Sequence, residues 1–181
     1  MELTMKIKTN RLILCPLGTE YLETTHVYAS DIENTKYMVH MPKETLDETR
    51  EFLIACEKEW QQPEPLFYEF AILMNKIHIG AVSIYLNEKR DTAELGWILN
   101  PAYHNCGYGS EAAAAVMNFA KERLNICHFV AYCDTENAAS RKVMKKLGLL
   151  QTSCSGGRQN RGSSEERQEY MYEMYAESIG E

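Results

Sequence analysis

Trp97-Ile98-Leu99-Asn100-Pro101-Ala102-Tyr103-His104-Asn105-Cys106-Gly107-Tyr108-Gly109-Ser110-Glu111 is the stretch that decides how this chain folds. It begins inside a β-rich run, residues 92–99, that Asn100-Pro101 closes. It ends in an Ala-rich segment, 108–124, where Ala112, Val116, Phe119, Ala120 and Leu124 recur at helical spacing. A strand therefore passes through a short loop into a helix whose start carries Gly107 and Gly109. The first N–H groups of a helix have no intrahelical acceptor, and the macrodipole adds about half a positive charge there. Glycines leave room for close approach, so a phosphate or pyrophosphate fits. No Gly-Lys-Ser/Thr follows, which excludes a P-loop, and the third glycine of a dinucleotide fingerprint is missing. A glycine pair before a helix is by itself often only a turn; the order of the surrounding elements gives it weight.

Working upstream, residues 11–17 (RLILCPL) read as a strand stopped by Pro16 and Gly18, and 19–30 as a helix capped by Thr19. Residues 45–62 form a stronger helix. Thr49, Phe52, Leu53, Cys56 and Trp60 share one face, Thr45 caps it, Glu48 completes a capping box and Pro63 stops it. The period then changes. Residues 67–74 and 77–86 are strands joined by a tight Asn75-Lys76 turn, and after a charged turn at 87–91 the strand at 92–99 extends the meander. Downstream of the Ala-rich helix come a strand at 127–133 and a helix at 138–147, with Asn137 as its cap and Gly148 just beyond its end. A strand begins at 149, a Gly/Ser-rich mobile loop covers 154–166, and a last strand spans 167–175. This order predicts a mixed α/β (α+β) sheet with antiparallel and parallel parts, in one domain over residues 1–181.

The 181 residues are 45% hydrophobic and 25% charged, with a net charge of −7. A chain of this length buries roughly 70% of its unfolded surface, so it folds without disulfide or metal. The composition excludes a collagenous or wholly disordered chain. No apolar run reaches the ~18 residues of a membrane span, and the opening MELTMKIKTN lacks the apolar core of a signal peptide. A cytoplasmic protein with no membrane contact is expected. An acidic balance without basic clusters argues against nucleic acid as the ligand and suits an amine. The six cysteines, Cys15, Cys56, Cys106, Cys127, Cys133 and Cys154, include no C-x-x-C pair. They read as reduced thiols, and no metal is expected. Cys106, beside the glycines, is the one candidate nucleophile, but the sequence assigns it no histidine partner.

Four blocks, in order, resemble the GNAT superfamily of acyl-CoA-dependent N-acetyltransferases. His104-Asn105-Cys106-Gly107-Tyr108-Gly109 is similar to its pyrophosphate motif, [QR]-x-x-G-x-[GA]. Asn137-Ala138-Ala139-Ser140 and then Lys146-Leu147-Gly148-Leu149 resemble its second signature, Asn-x-x-Ser followed by Lys-x-Gly-[FL]. Residues 9–17 (TNRLILCPL) and 93–101 (AELGWILNP) look like the first and fourth strands of the RimJ/RimL-like branch, the ribosomal-protein N-terminal acetyltransferase type. The resemblance covers nearly the whole chain. It implies a mostly antiparallel central sheet of about seven strands flanked by about four helices, splayed between the strands at 92–99 and 127–133. Two positions depart from the family pattern. His104 replaces the usual Gln or Arg, and Met144 stands where many members carry a tyrosine proposed to protonate the leaving thiolate.

The resemblance also implies roles. Acetyl-CoA is the expected co-substrate, with His104, Asn105, Cys106, Gly107, Tyr108, Gly109 and Ser110 around its pyrophosphate and the N–H groups of 107–110 as donors. The main chain of Ile98 and Leu99 pairs with the pantetheine arm, and one N–H there faces the thioester carbonyl. Asn137 adds an amide contact to its capping role. Ser140 bonds the thiol sulfur or is a solvated hydroxyl. Glu94, on the face opposite Ala93, Leu95 and Trp97, is a general base acting through water or a salt-bridged glutamate. Tyr28, Tyr37, Trp60 and Tyr68 line an acceptor pocket or, more commonly for such aromatics, fill the core. The expected reaction is acetyl transfer to a primary amine, a protein N-terminal α-amine or a small molecule, by direct attack in a ternary complex. The acceptor loops, 28–41 and 154–166, carry no motif that names the amine. A non-catalytic acyl-CoA sensor and a scaffold protein reusing the fold are the competing readings, and a monomer or homodimer is expected.

Overall fold

The computed structural model describes residues 5–177. Its strands are β1 (Ile7–Lys8), β2 (Leu12–Pro16), β3 (Phe67–Met74), β4 (Ile77–Leu86), β5 (Thr92–Leu99), β6 (His128–Asp134), β7 (Leu150–Gln159) and β8 (Glu166–Tyr175). The helices are α1 (Leu22–Ala29), α2 (Ile32–Thr35), α3 (Leu46–Trp60), α4 (Tyr108–Leu124) and α5 (Ala138–Lys146). All the described strands join one sheet in the order β1-β2-β3-β4-β5-β6-β8-β7. Only the β5–β6 pair is parallel. The mixed, mostly antiparallel sheet is as expected, with one more strand, the two-residue β1, and one more helix, the four-residue α2.

Alternation along the strands gives the sheet two apolar faces. Phe70, Ile72, Val82, Ile84, Ala93 and Leu95 pack with Val116, Phe119 and Ala120 of α4 and Met144 of α5. On the other face Cys15, Leu17, Ala71 and Ala81 pack with Leu53 and Cys56 of α3. The β3–β4 turn holds Asn75 and Lys76 at φ 50° and 68°, the two left-handed residues that a tight hairpin of right-handed twist requires. The Thr45 hydroxyl accepts from Glu48 N at 3.1 Å, as its capping role predicts. The Glu48 carboxylate, however, accepts from Glu44 N, one residue earlier than in a capping box.

Two local expectations are corrected. Thr19 caps no helix. It opens a 3-10 turn, Thr19–Tyr21, and its N–H and hydroxyl both donate to Glu57 Oε1, at 2.6 and 2.7 Å. Residues 154–166 are not a mobile loop, because β7 runs on to Gln159 and turns directly into β8. Gly/Ser composition indicates flexibility only where no partner strand exists. Here β8 supplies the ladder, and a shift of register between Ser155 and Arg158 absorbs Gly156-Gly157.

One feature of the sheet creates the site. β5 and β6 pair only through residues 92–94 and 128–130. Beyond that point β5 stays bound to β4 as far as Leu99, and β6 stays bound to β8 as far as Asp134. The two strands diverge and leave a V-shaped cleft edged by unpaired main chain.

Candidate functional site

The loop at the mouth of the cleft is shaped by its own polar groups. Asn100 accepts from Ala102 N at 3.0 Å and sets the 3-10 turn Pro101–Tyr103. Asn105 and Gly107 then adopt left-handed backbone, φ 60° and 80°. Left-handed residues in such a loop turn successive N–H groups toward one side, as in anion-binding nests. Gly107 O accepts from Glu111 N and from the Ser110 hydroxyl, at 3.1 and 3.0 Å. The Ser110 side chain is thus tied back, and only its N–H joins those of Tyr108 and Gly109 on the open end of α4. A Cβ on Gly109 would meet only Leu99 Cδ1, at 3.6 Å. The protein's own packing therefore does not demand glycine there. Asn105 and Cys106 are exposed on the rim.

His104 does not act as the charged first residue of the cradle. Its Nε2 donates to Leu99 O at 3.1 Å, and Asn34 Nδ2 donates to the same oxygen at 3.1 Å. The cation at the cradle is Arg11, which the sequence reading did not single out. Its Nε donates to Glu111 Oε2 at 2.7 Å, its Nη1 to Cys106 O at 3.0 Å, and its guanidinium lies 4.5 Å from the Tyr108 ring centroid. Burial opposes ionisation of Glu111, but hydrogen bonds from Thr9 and Arg11 outweigh it and lower its pKa. The only sequence signal for Arg11 was its place in the 9–17 block; nothing in the spacing brings it to Cys106.

The parity of β5 decides which of its main-chain groups are free of β4. Asn87 N bonds Thr92 O at one end of the β4–β5 ladder, and Asn100 N bonds Ile79 O at the other. Antiparallel alternation then directs the main chain of Glu94, Gly96 and Ile98 to β4, and that of Trp97 and Leu99 to the cleft. Ile98 therefore offers no free amide, and its side chain packs beside Tyr28, Ala29 and Met41. Leu99 keeps its N–H, but its carbonyl is occupied by Asn34 and His104. Trp97, which the sequence reading overlooked, supplies main chain on the open edge of the cleft. Across the cleft, Asn137 Oδ1 accepts from Ser140 N at 3.1 Å, so its amide nitrogen remains the group available to a ligand. Ser140 is half-buried on the first turn of α5, and Met144, one turn later, is buried in the core.

On the far face, Glu94 reaches solvent, yet the surrounding protein strips enough hydration to raise its pKa. Nearby Glu169 adds to the rise and Arg158 opposes it. Arg158 pairs with Glu169 and donates to Asn160 Oδ1 at 2.9 Å and to Tyr37 O at 2.7 Å. Arg161 N donates to Met38 O at 3.0 Å. The β7–β8 arm is thereby fastened to the 31–41 segment, and the two expected acceptor loops come together over the face that carries Glu94. Tyr28 and Tyr68 are buried in the core and Trp60 is packed against it, whereas Tyr37 lies half-buried at this seam. A second carboxylate on this face, Glu69, also escaped the sequence reading. It is buried, accepts from Tyr85 Oη at 2.6 Å, and is raised to about 7 by burial, against hydrogen bonds from Tyr85 and Ser83 that lower it. Among the described residues, no group of three or more His, Cys, Asp or Glu side chains is placed to hold a metal.

Comparison with known proteins bears on this geometry. A family model described as "Acetyltransferase (GNAT) domain" matches residues 11–150. The uncharacterized N-acetyltransferase YnaD of Bacillus subtilis (strain 168) is 29% identical over 147 residues, 80% of this chain and 82% of that protein. A GNAT-family acetyltransferase from Bacillus anthracis has a similar structure, with a TM-score of 0.81 and 28% identity over 94% of this chain and 98% of its own. The RimL ribosomal L7/L12 alpha-N-protein acetyltransferase, solved in complex with coenzyme A, gives a TM-score of 0.84 over 95% of this chain and 98% of its own. At 18% identity that likeness is one of fold.

Proposed function

The chain belongs to the GNAT acetyltransferase family, and from that premise we propose that it is a single-domain cytoplasmic enzyme that moves an acetyl group from acetyl-CoA to a primary amine by direct attack in a ternary complex. The observation that carries this reading is the alignment of the anion cradle at the start of α4 with the free edge of β5, both opening on one cleft. The N–H groups of Tyr108, Gly109 and Ser110 bind the pyrophosphate. The main chain of Trp97 and the N–H of Leu99 pair with the pantetheine arm, joined from the other wall by the Asn137 amide. In this reading the Trp97 N–H donates to the thioester carbonyl oxygen, where charge develops on attack.

The amine enters beneath the seam of the two acceptor loops, beside Glu94. It must be neutral to attack. At pH 7 a lysine side chain is roughly 0.04% neutral and an α-amine roughly 14%. A single weakly basic carboxylate such as Glu94, taking the proton through water, therefore suits an α-amine better than a lysine. The C–N bond forms, the C–S bond breaks, and the amine proton leaves through Glu94 to solvent. The departing thiolate, with a pKa of about 8.5, needs only a hydrogen bond, and Ser140 supplies it. A protein N-terminus, with its more readily neutral α-amine, is the acceptor we propose. A panel of N-terminal peptides, polyamines and aminoglycosides, read by thiol release from acetyl-CoA, tests this. Turnover of peptides whose α-amine is free, and not of the same peptides when blocked, is the expected result. Turnover of polyamines or aminoglycosides alone would overturn the α-amine assignment, and thiol release with no amine would overturn the reaction.

A further inference from the structure

Where β5 and β6 begin to diverge, one row of side chains crosses the sheet. The register sets Phe67 of β3 opposite Tyr85 of β4, Tyr85 opposite Glu94 of β5, and Glu94 opposite Val130 of β6. Residues paired in this way project from one face, and Tyr132, two positions beyond Val130, shares it. Tyr85 and Tyr132 are exposed, at 40% and 37%. Glu94 between them is exposed too and, among the described residues, forms no ion pair. The nearby carboxylates are already engaged, Glu169 by Arg158 and Glu173 by His128. The Tyr85 ring is fixed on two sides. One face stacks on Phe67, with centroids 5.1 Å apart and planes inclined by 16°, and the hydroxyl donates to buried Glu69 Oε1 at 2.6 Å. Phe67 and Glu94 lie on opposite sides of Tyr85 in the row, so the free face of the ring is turned toward Glu94. Burial raises the Tyr85 pKa, and Glu69, Cys56 and Glu94 add to the rise. Burial also raises that of Tyr132, with Glu94, Glu169 and Glu173 adding to it, so both rings are neutral and lie in the field of Glu94. Gly96, the next residue of β5 on this face, has no side chain to cover Glu94, and a Cβ there would lie 2.5 Å from Ser83 Oγ.

We propose that Tyr85, Tyr132 and Glu94 form an aromatic cage for an ammonium group, and that the acceptor amine docks there as its cation before it is deprotonated. The inference rests on the acetyl-transfer reading above and adds to it the two rings and the charged state in which the substrate arrives. The face of an aromatic ring attracts a cation within about 6 Å of its centroid. Neighbouring strands stand about 4.8 Å apart, so β4 and β6 flank β5 with roughly 10 Å between them. An ammonium above Glu94 then lies about 5 Å from each wall. At pH 7 about 86% of an α-amine is charged, so the cage meets the abundant form. Loss of the proton through water to Glu94 frees the lone pair for attack. The cage holds the ground state, so it bears on KM more than on kcat. An aliphatic side chain of similar size does not replace either ring, because it has no negative face.

Two peptides that cannot be acetylated test this without turnover. One begins with trimethylglycine, a fixed ammonium, and the other with 3,3-dimethylbutanoyl, its neutral isostere. Calorimetry on the full chain should show the cationic peptide binding roughly 10-fold more tightly, since ring faces and carboxylate both favour charge. Tyr132→Leu should lower that ratio by about 2- to 5-fold, the range for a cation at an exposed ring, by weakening the cationic peptide alone. Tyr85→Leu should do the same, and Tyr85→Phe, which keeps the ring face, should preserve the ratio. Tyr85→Leu strands Glu69 and can unfold the chain, whereas the Tyr132 ring is exposed, so Tyr132→Leu should melt with the wild type. With an amine that is acetylated, Tyr132→Leu should raise KM by the same factor and change kcat less. Equal binding of the two peptides by the wild type, failure of both to bind, or an unchanged ratio in Tyr132→Leu overturns the cage and leaves acetyl transfer intact. A ratio that depends on Tyr132, with no acetylation of any amine, would keep the cage and overturn the acetyl-transfer reading.

Discussion

At the scale of single residues, Glu94 on β5 and Ser140 on the first turn of α5 are the side chains assigned to the proposed chemistry. Desolvation and Glu169 raise the Glu94 pKa above the ordinary carboxylate value, so its base form is lost earlier on acidification than a surface glutamate's would be. With an α-amine acceptor, kcat/KM should fall tenfold per pH unit below the amine's pKa. It should fall a hundredfold per unit once Glu94 also protonates. Glu94→Gln should lower kcat by roughly 10²–10⁴-fold and remove the steeper limb, leaving the shallower one. A variant that keeps both the rate and the steep limb would show Glu94 to be a structural partner of Arg158. Ser140→Ala should cost roughly 10–150-fold in kcat, the equivalent of about 1.5–3 kcal/mol for a hydrogen bond to a charged sulfur made only in the transition state. Its affinity for acetyl-CoA, measured by calorimetry, should hold, because the cradle lies elsewhere. Lost affinity with an intact kcat would instead assign Ser140 to donor binding.

At the scale of an element, α4 folds on local grounds and presents N–H groups with no side-chain cap at its start. Its Ala-rich inner face is buried, and its first turn has Gly109 where only Leu99 Cδ1 comes near a Cβ position. Gly109→Val should therefore leave the fold in place, at a cost of about 1 kcal/mol or less, while its methyl groups fill the cradle. Acetyl-CoA at about a hundred times its dissociation constant should stabilise the wild type by about 2.7 kcal/mol, a rise in Tm of roughly 5–10 °C. In Gly109→Val that rise should vanish. A full thermal shift in the variant would move the coenzyme away from α4. The β7–β8 arm is an element of the opposite kind. Its composition is that of a loop, and it is a strand pair because β8 is itself anchored on β6.

At the scale of the whole molecule, Glu69 ties stability to pH. Its carboxylate is buried beneath α3 and receives the Tyr85 hydroxyl, and its main-chain oxygen joins Leu17 N and Trp60 Nε1. Burial raises its pKa from 4.5 to about 7, so between those values the folded chain holds a proton that the unfolded chain has released. Stability must then fall as pH rises across that window and level off above it. The shift corresponds to roughly 3 kcal/mol. Glu69→Gln keeps the hydrogen bond from Tyr85 and abolishes the titration. Urea unfolding should show the variant gaining about that much on the wild type between pH 4.5 and pH 8. A constant difference across the range would mean that Glu69 is ionised in the folded state throughout.

The amino-acid sequence by itself determined the elements and their order, because these follow from local rules. Period separates α3 and α4 from β3, β4 and β5; Thr45 and Asn137 mark helix starts by side-chain caps; Asn75-Lys76 marks a hairpin by its tolerance of left-handed backbone. The cradle was legible for the same reason, since a strand, a loop and a glycine-marked helix start are contiguous in the chain. Pairings between distant segments were decided only by the tertiary structure. Which amides of β5 face the cleft depends on the register with β4, and one step of parity moves the contact from Ile98 to Trp97. The strand at 150–159 exists only because β8 pairs with it, and Glu69 is desolvated only when α3 covers it. Arg11 and Lys146 both come near Gly107, a proximity no local pattern records. Backbone propensity and caps are settled within a turn or two of chain, whereas burial, register and the meeting of charges are properties of the folded whole.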